Sequence, residues 1–313
     1  MHILLTGASG FIGSALAPAL LADGHELRGL TRDPQRAQAG SPAHTSAMEI
    51  VRGDVLTGEG LAGALAGLEV AYYLIHSMED TPGSPPGSFA ERERVAASTF
   101  AVHAQHAGVN RIVYLGGLLP SAGRVSPHLA SRAEVEEILL EHVPDSVALR
   151  ASIVIGAQSR SFRLLVRLVE RMPVLTLPPW RRFRTQPIDV RDTIAMLAAA
   201  AHPTSVSGRT LDIGGREALT YEEMLRRIAE LLLLPRPTLG VRVTMTPLTA
   251  HLAAALAGED PALVLPLMEG LQGDLLPADD HAADLLGVEL HSFDSAVECA
   301  LREWEAAEPL AAR

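Results

Sequence analysis

Three glycines, Gly7, Gly10 and Gly13, stand where a strand-like Ile3-Leu4-Leu5-Thr6 gives way to a helix-like run that begins at Phe11. In Thr6-Gly7-Ala8-Ser9-Gly10-Phe11-Ile12-Gly13 each glycine has a separate use. Gly7 permits a tight turn, Gly10 lets backbone approach a pyrophosphate, and Gly13 lets the helix pack closely on the strand. The following helix directs unpaired N–H groups and the positive end of its dipole at the same place. A strand before and a helix after are the context this spacing requires, so the segment predicts dinucleotide binding through Gly7, Ser9, Gly10, Phe11, Ile12 and Gly13. A glycine-rich turn kept only for packing is the alternative.

The end of the second strand-like run is where a dinucleotide site reads the adenosine ribose. An acid there suits the 2′-hydroxyl of NAD. This chain reads Thr31-Arg32-Asp33-Pro34-Gln35-Arg36, with Arg32 19 positions beyond Gly13. A guanidinium clamps a 2′-phosphate with paired hydrogen bonds, so Arg32 and Arg36 point to NADP(H), with NAD(H) the second choice. The other reading is two solvated surface arginines. Asp54, in Arg52-Gly53-Asp54-Val55, ends the third strand and has two readings: an adenine contact together with Val55, or a cap for the next helix. His76, after the fourth strand, either flanks the cofactor or simply ends its strand.

The elements that must position these residues follow from apolar periodicity. Short apolar runs at Ile3–Leu5, Glu26–Thr31, Met48–Val51, Val70–Ile75, Arg111–Leu115 and Val147–Ala151 predict buried parallel strands. Helical patterns lie between them, near Phe11–Asp23, Gly60–Ala66, Phe89–Ala107 and Pro127–Glu141. Such alternation predicts an α/β protein with a doubly wound parallel sheet. The Pro/Gly-rich Asp80–Ser88 is a loop at the ligand-binding edge of that sheet. Past Gly156 the alternation weakens, with a helix near Ser161–Arg171 and a Pro-rich, Trp-bearing stretch at Met172–Pro187. It returns at Ile188–Ala201 and Arg209–Ile213, and helices dominate from Thr220. The expected layout is a nucleotide-binding domain over 1–156 and 187–216, with a smaller, discontinuous, mainly helical substrate-covering lobe over 157–186 and 217–313.

Composition removes other classes. The formal charge of −11 argues against nucleic acid or an anionic membrane as partner. The 26 basic residues are all arginine, which excludes a P-loop lysine and a Schiff-base lysine. Cys299 is the only cysteine, so no internal disulfide framework and no multi-cysteine metal site is expected. No apolar run reaches membrane-span length, and the opening residues carry no charged leader, so a cytoplasmic protein is expected.

These segments resemble the extended and atypical short-chain dehydrogenase/reductase superfamily over roughly residues 1–225, with NmrA-like NAD(P)-binding proteins the nearest subset. The glycine motif is similar without a gap. Gly53-Asp54-Val55 resembles the adenine-contact motif, Leu149–Gly156 the strand-six segment, and Gln186-Pro187-Ile188-Asp189-Val190-Arg191-Asp192 the later V-x-D element. The resemblance implies a Rossmann domain, NAD(P) and a variable substrate lobe. Where ordinary members place a Ser or Thr after strand five, this chain has Gly116-Gly117. Where they open the next helix with Tyr-x-x-Ser-Lys, it reads His128-Leu129-Ala130-Ser131-Arg132.

His128 and Arg132 thus take the places of the tyrosine and lysine, one helical turn apart. In the first turn the helix dipole disfavours imidazolium by about 0.3–1 kcal/mol. His128 is therefore expected to be neutral, polarising a carbonyl through one hydrogen bond, with Arg132 on the nicotinamide ribose. A helix-start histidine and a purely cofactor-binding arginine are the other reading. His103 and His106, three apart, lack the third ligand a metal site needs, and none is expected. Trp180-Arg181-Arg182-Phe183-Arg184 is read as a solvated strand or an anion contact at the lobe edge, and Cys299 as a small core residue.

The reading that results is an NADP(H)-dependent reductase of a small, largely apolar carbonyl or conjugated substrate. A non-catalytic NADP(H)-binding redox sensor or assembly protein and a cofactor-retaining epimerase or dehydratase are the rivals. A homodimer or a protein partner is left open.

Overall fold

The computed structural model describes residues 1–35, 47–75, 88–121, 125–202, 206–241 and 273–308. Its centre is a parallel sheet built from β1 (His2–Thr6), β2 (Glu26–Thr31), β3 (Glu49–Arg52), β4 (Val70–Tyr73), β5 (Arg111–Gly117) and β6 (Val147–Ala151). After the excursion β7 (Val154–Ile155), β8 (Leu175–Leu177), β9 (Arg184–Thr185) and β10 (Ile188–Asp189), the chain adds a seventh sheet strand, β11 (Thr210–Ile213). The spatial order is β11-β6-β5-β4-β1-β2-β3. The order reverses between β1 and β4, the place where open α/β sheets bind ligands. Expected and observed strands coincide within a few residues, because doubly buried strands are bounded by the polar turns that a sequence shows directly.

Helices α1 (Phe11–Ala22), α2 (Leu61–Leu65), α3 (Phe89–His106), α4 (Pro127–His142), α5 (Arg160–Arg171) and α6 (Val190–Ala200) follow in chain order. α1 and α6 pack on one sheet face through Leu16, Leu20, Ile194 and Leu197. On the other face α2, α3 and α4 enclose Leu61, Phe100, Val135 and Leu139 with Leu4, Ala71 and Ile112. The sheet is thus covered on both faces, as its continuous apolar strands require. The strands β12 (Leu219–Thr220) and β13 (Thr238–Gly240) and the helix α7 (Tyr221–Leu231) come next. After them come α8 (Ala282–Leu286) and α9 (Phe293–Ala307). α5, α7 and α9 form a third core around Phe162, Val166, Met224, Ile228, Val297 and Trp304. One element departs from the expected lobe: Ala282, Ala283 and Leu286 of α8 pack into the sheet's first core. Its apolar face is too short to carry a signal of which core it joins.

The helix that matters for the site, α4, is tied down by a buried carboxylate. Glu136 accepts from Arg150 Nε at 2.8 Å and Nη2 at 2.9 Å, and from Thr210 Oγ1 at 2.5 Å. Paired donors fix direction as well as distance, so α4 is pinned to β6 and β11 at Glu136. Among the described residues no helix is long and apolar enough to cross a membrane.

Candidate functional site

β1 ends at Thr6, whose hydroxyl donates to Tyr72 O at 2.9 Å and accepts from Leu74 N at 2.9 Å. That side chain staples the carboxyl ends of β1 and β4. Gly7 follows at φ +66°, and a Cβ there would stand 2.8 Å from the Leu74 carbonyl oxygen. Gly10 N donates to Gly7 O at 2.9 Å, closing the turn. A Cβ on Gly13 would lie 2.2 Å from that same Gly7 oxygen, so the first turn of α1 rests directly on loop backbone. Gly10 is the N-cap of α1 and brings no side-chain acceptor, and the first turn carries no acid. Its N–H groups are therefore left to solvent or to an anion. Ser9 and Gly10 are exposed, and Phe11 and Ile12 half-buried. The Phe11 ring lies against Gly156, where a Cβ would come within 2.8 Å of its Cζ. Gly156 ends the strand-six segment, and only that position in the motif hinted at its packing role. A cradle that side chains would fill fits a pyrophosphate.

Around the adenosine end the expected residues separate. Arg32 is exposed directly after β2, and Asp33 N donates to Thr31 Oγ1 at 3.2 Å in the turn that follows. Arg36 and His76, and all but Ser88 of the 80–88 loop, lie outside the described residues. Gly53 N donates to Thr31 O at 3.0 Å, holding the exit of β3 beside that of β2. Asp54 is half-buried, and its Oδ1 accepts from Leu56 N at 2.8 Å. It therefore shapes the turn after β3 and does not cap a helix: α2 starts at Leu61 with Gly60 as its N-cap. Val55 is buried in the second core.

The other half of the site is at the end of β5, two strands from β1 and so about 10 Å across the sheet. Ser126 caps α4 by accepting from Leu129 N at 3.3 Å. Pro127 is the first helical residue, which places His128 in the first turn as its spacing predicts. The His128 ring is 5.8 Å, centroid to centroid, from Phe89 of α3. Arg132 lies one turn further on. The residue is only part-buried, yet its Nε is closed to solvent and, among the described residues, has no hydrogen-bond partner, and the same holds for the hydroxyl of Ser131 beside it. Burial pushes the guanidinium below its ordinary pKa range, with Tyr114 and Glu93 acting in the opposite direction. A shielded donor without an acceptor is unfavourable by about 1–3 kcal/mol. A ligand that brings hydroxyl or phosphate oxygens would satisfy it, and this orphaned nitrogen fits a dinucleotide's ribose end. Tyr114 does not replace the missing tyrosine. It is buried in β5, its hydroxyl donates to the Arg132 carbonyl at 3.3 Å, and burial pushes its phenol far up.

Elsewhere two expectations are corrected. Trp180 is buried within a short 3-10 turn, Pro179–Arg182, and Arg181 pairs with Glu222. Arg184 of β9 binds Asp274 at 2.9 Å, so Trp180 and Arg181 form a packed lobe edge, while Arg182 and Arg184 remain exposed. Cys299 is half-buried on α9 with its Sγ 3.6 Å from Glu303 Oε1, outside the core. His103 Nδ1 donates to Thr99 O at 2.8 Å, within its own helix. The sequence reading missed a polar seam between sheet domain and lobe. Asp189 caps α6 and binds Arg191, whose Nη2 reaches Ser295 Oγ at 3.2 Å. Asp192 accepts from His291 N at 2.9 Å and lies 2.5 Å from its Nδ1. Both aspartates stood in the segment that resembles the V-x-D element, but His291 and Ser295, which Asp192 and Arg191 meet, are about a hundred residues away and carry no local pattern.

The strand order and the glycine cradle define a dinucleotide-binding Rossmann protein. Residues 7–152 match the NAD(P)H-binding family. The chain is 36% identical over 119 residues to 3-beta-hydroxysteroid dehydrogenase of Mycolicibacterium neoaurum, covering 36% of this chain and 31% of that protein. It is 26% identical over 226 residues to the mitochondrial NADH dehydrogenase [ubiquinone] 1 alpha subcomplex subunit 9 of Arabidopsis thaliana, covering 70% and 54%. With ceramide reductase of Caulobacter vibrioides it shares 26% identity over 234 residues, covering 74% and 70%. The chain thus spans about a third to a half of the length of the first two. The crystal structure of UDP-glucuronic acid 4-epimerase from Bacillus cereus in complex with NAD superposes with a TM-score of 0.71 at 17% identity, covering 97% of each chain. Relatives of this kind are dehydrogenases, reductases and epimerases.

Proposed function

We propose that the protein is an NADP(H)-dependent reductase of a small, largely apolar carbonyl or conjugated substrate. Gly7, Ser9, Gly10, Phe11, Ile12 and Gly13 hold the pyrophosphate, Arg32 with Arg36 the 2′-phosphate, Asp54 with Val55 the adenine, and His76 flanks the cofactor. When bound, the nicotinamide supplies the hydride. His128 donates a hydrogen bond to the substrate oxygen and steadies the charge that develops there, and the proton comes from water. Arg132 orients the ribose. The observation that carries this reading is the pairing of two donors on one face of α4, the second of them with an Nε shielded from solvent and lacking an acceptor among the described residues. The similarity to a hydroxysteroid dehydrogenase and a ceramide reductase supports an apolar substrate.

The test is NADPH consumption, followed at its absorbance band, across a panel of apolar aldehydes, ketones and enones. Turnover is expected with some member, and His128→Ala is expected to lower kcat about tenfold while leaving the Kd for NADPH unchanged. Equal turnover in the variant would remove His128 from the chemistry. Arg32→Ala is expected to weaken NADPH about tenfold and NADH hardly at all, since one exposed charge-assisted contact with the 2′-phosphate is lost. An equal loss for both coenzymes would end the preference for NADP(H).

A second reading is a non-catalytic NADP(H)-binding redox sensor or assembly subunit. The missing Ser, Tyr and Lys favour it, as does the similarity to a subunit of NADH dehydrogenase. It predicts NADPH binding without consumption throughout the panel. A cofactor-retaining epimerase or dehydratase would change its substrate with no net loss of NADPH.

A further inference from the structure

We propose that Gly117 is a positioning residue for Arg132: it leaves the end of β5 without a side chain that would press on Leu129 and, if it carried a hydroxyl, engage the guanidinium, so that the guanidinium's donors stay available to the cofactor. The inference rests on the reading of Arg132 as a ribose contact. A Cβ at position 117 would lie 2.9 Å from Leu129 Cδ2, 3.5 Å from Arg132 Cδ and 3.8 Å from Arg132 Nη1. All three atoms belong to one face of α4. Backbone conformation is not the reason for glycine here, because Gly117 is absent from the glycines with positive φ. Strand propensity argues against it too, since glycine weakens a strand and Gly117 is still paired in β5, opposite Ala151. What remains is the room on its α4 side.

The chemistry of the pair explains why that room matters. The superfamily that this chain resembles places a hydroxyl residue after strand five and a lysine one turn into the next helix. Here both positions differ together, and a planar guanidinium is broader than an ammonium. A serine at 117 would press on Leu129, and its hydroxyl, one bond beyond the Cβ, would come into hydrogen-bonding range of Nη1. It would then give the guanidinium a protein acceptor and draw it away from the ligand. The absence of that hydroxyl and the presence of arginine are two halves of one arrangement. Restoring the serine alone is therefore expected to harm the site.

The test is a double-mutant cycle read by calorimetric titration with NADPH, using wild type, G117S, R132K and G117S/R132K. G117S is expected to weaken NADPH about tenfold beside Arg132, within the range of coupling between touching residues. In the R132K background it is expected to weaken it less than about twofold. Equal losses in both backgrounds, or no loss in either, overturn the proposal, because a plain packing defect in β5 would be felt whichever residue faces it. If G117S fails to fold, G117A in the same cycle asks the same question with a smaller group. The outcomes also separate the two levels of inference. An unchanged NADPH affinity in R132M removes the reading of Arg132 itself, whereas a clear loss in R132M with additive losses in the cycle removes only the role of Gly117.

Discussion

Gly13→Ala is expected to weaken NADPH binding by at least about a hundredfold, the scale at which a misplacement of about 1 Å acts on a positioned group. The new Cβ would arrive 2.2 Å from the Gly7 carbonyl oxygen, far inside any tolerable contact, so either helix or loop must yield. α1 is held by Leu16, Ala17 and Leu20, all fully buried in the first core. The loop carries exposed Ser9 and Gly10 and yields first. Its displacement moves the Gly7 oxygen that accepts from Gly10 N, and the phosphate cradle opens. Fluorescence titration of NADPH measures the loss, with far-ultraviolet circular dichroism confirming that the helices persist. An affinity within about threefold of wild type would show that the glycines serve packing alone.

The second large effect is expected from Arg132→Met, a substitution that keeps the length of the side chain and removes its donors. NADPH affinity should fall about 30- to 100-fold, the equivalent of losing charge-assisted hydrogen bonds in a shielded place. The unfolding midpoint of the free protein should not fall, and should rise as the unpaired donor is removed, because the buried Nε makes no hydrogen bond among the described residues that the substitution would break. Differential scanning calorimetry with and without NADPH reads both quantities: the ligand-induced rise should shrink while the ligand-free midpoint holds or rises. A lower midpoint with unchanged affinity would assign Arg132 to the scaffold.

The parallel sheet and the glycine loop could be read from the chain because each depends on local pattern. Short apolar runs bounded by turns mark β1 to β6, and the steric need at Gly7 and Gly13 is written in the residue type itself. His128 and Arg132 were found by their spacing of four and proved to share one helix face. What spacing could not show was the state of the Arg132 side chain, since whether a guanidinium finds an acceptor depends on β5 and α3, remote in sequence. Asp54 illustrates the opposite limit. A carboxylate after a strand serves equally as ligand contact, helix cap or turn former, and only the hydrogen bond to Leu56 N shows that it shapes a turn. The seam of Asp192 with His291 and of Arg191 with Ser295 was invisible for the same reason as the placement of α8. Both depend on tertiary pairing over long sequence separations.

The contact between Phe11 and Gly156 has a mechanical consequence. The aromatic ring of the nucleotide loop is wedged against the point where the chain first leaves the sheet, with no clearance for even a methyl group. That joint leaves no room, so the first crossing out of the sheet takes its position from the glycine loop. The return crossing is packed as closely: a Cβ at Gly215 would run into the Pro187 carbonyl oxygen, and the Gln186 side chain reaches Gly215 O at 2.7 Å. With both crossings closed to even a methyl group, the segments between them are held at two points, and a swing about either one must be taken up at the other.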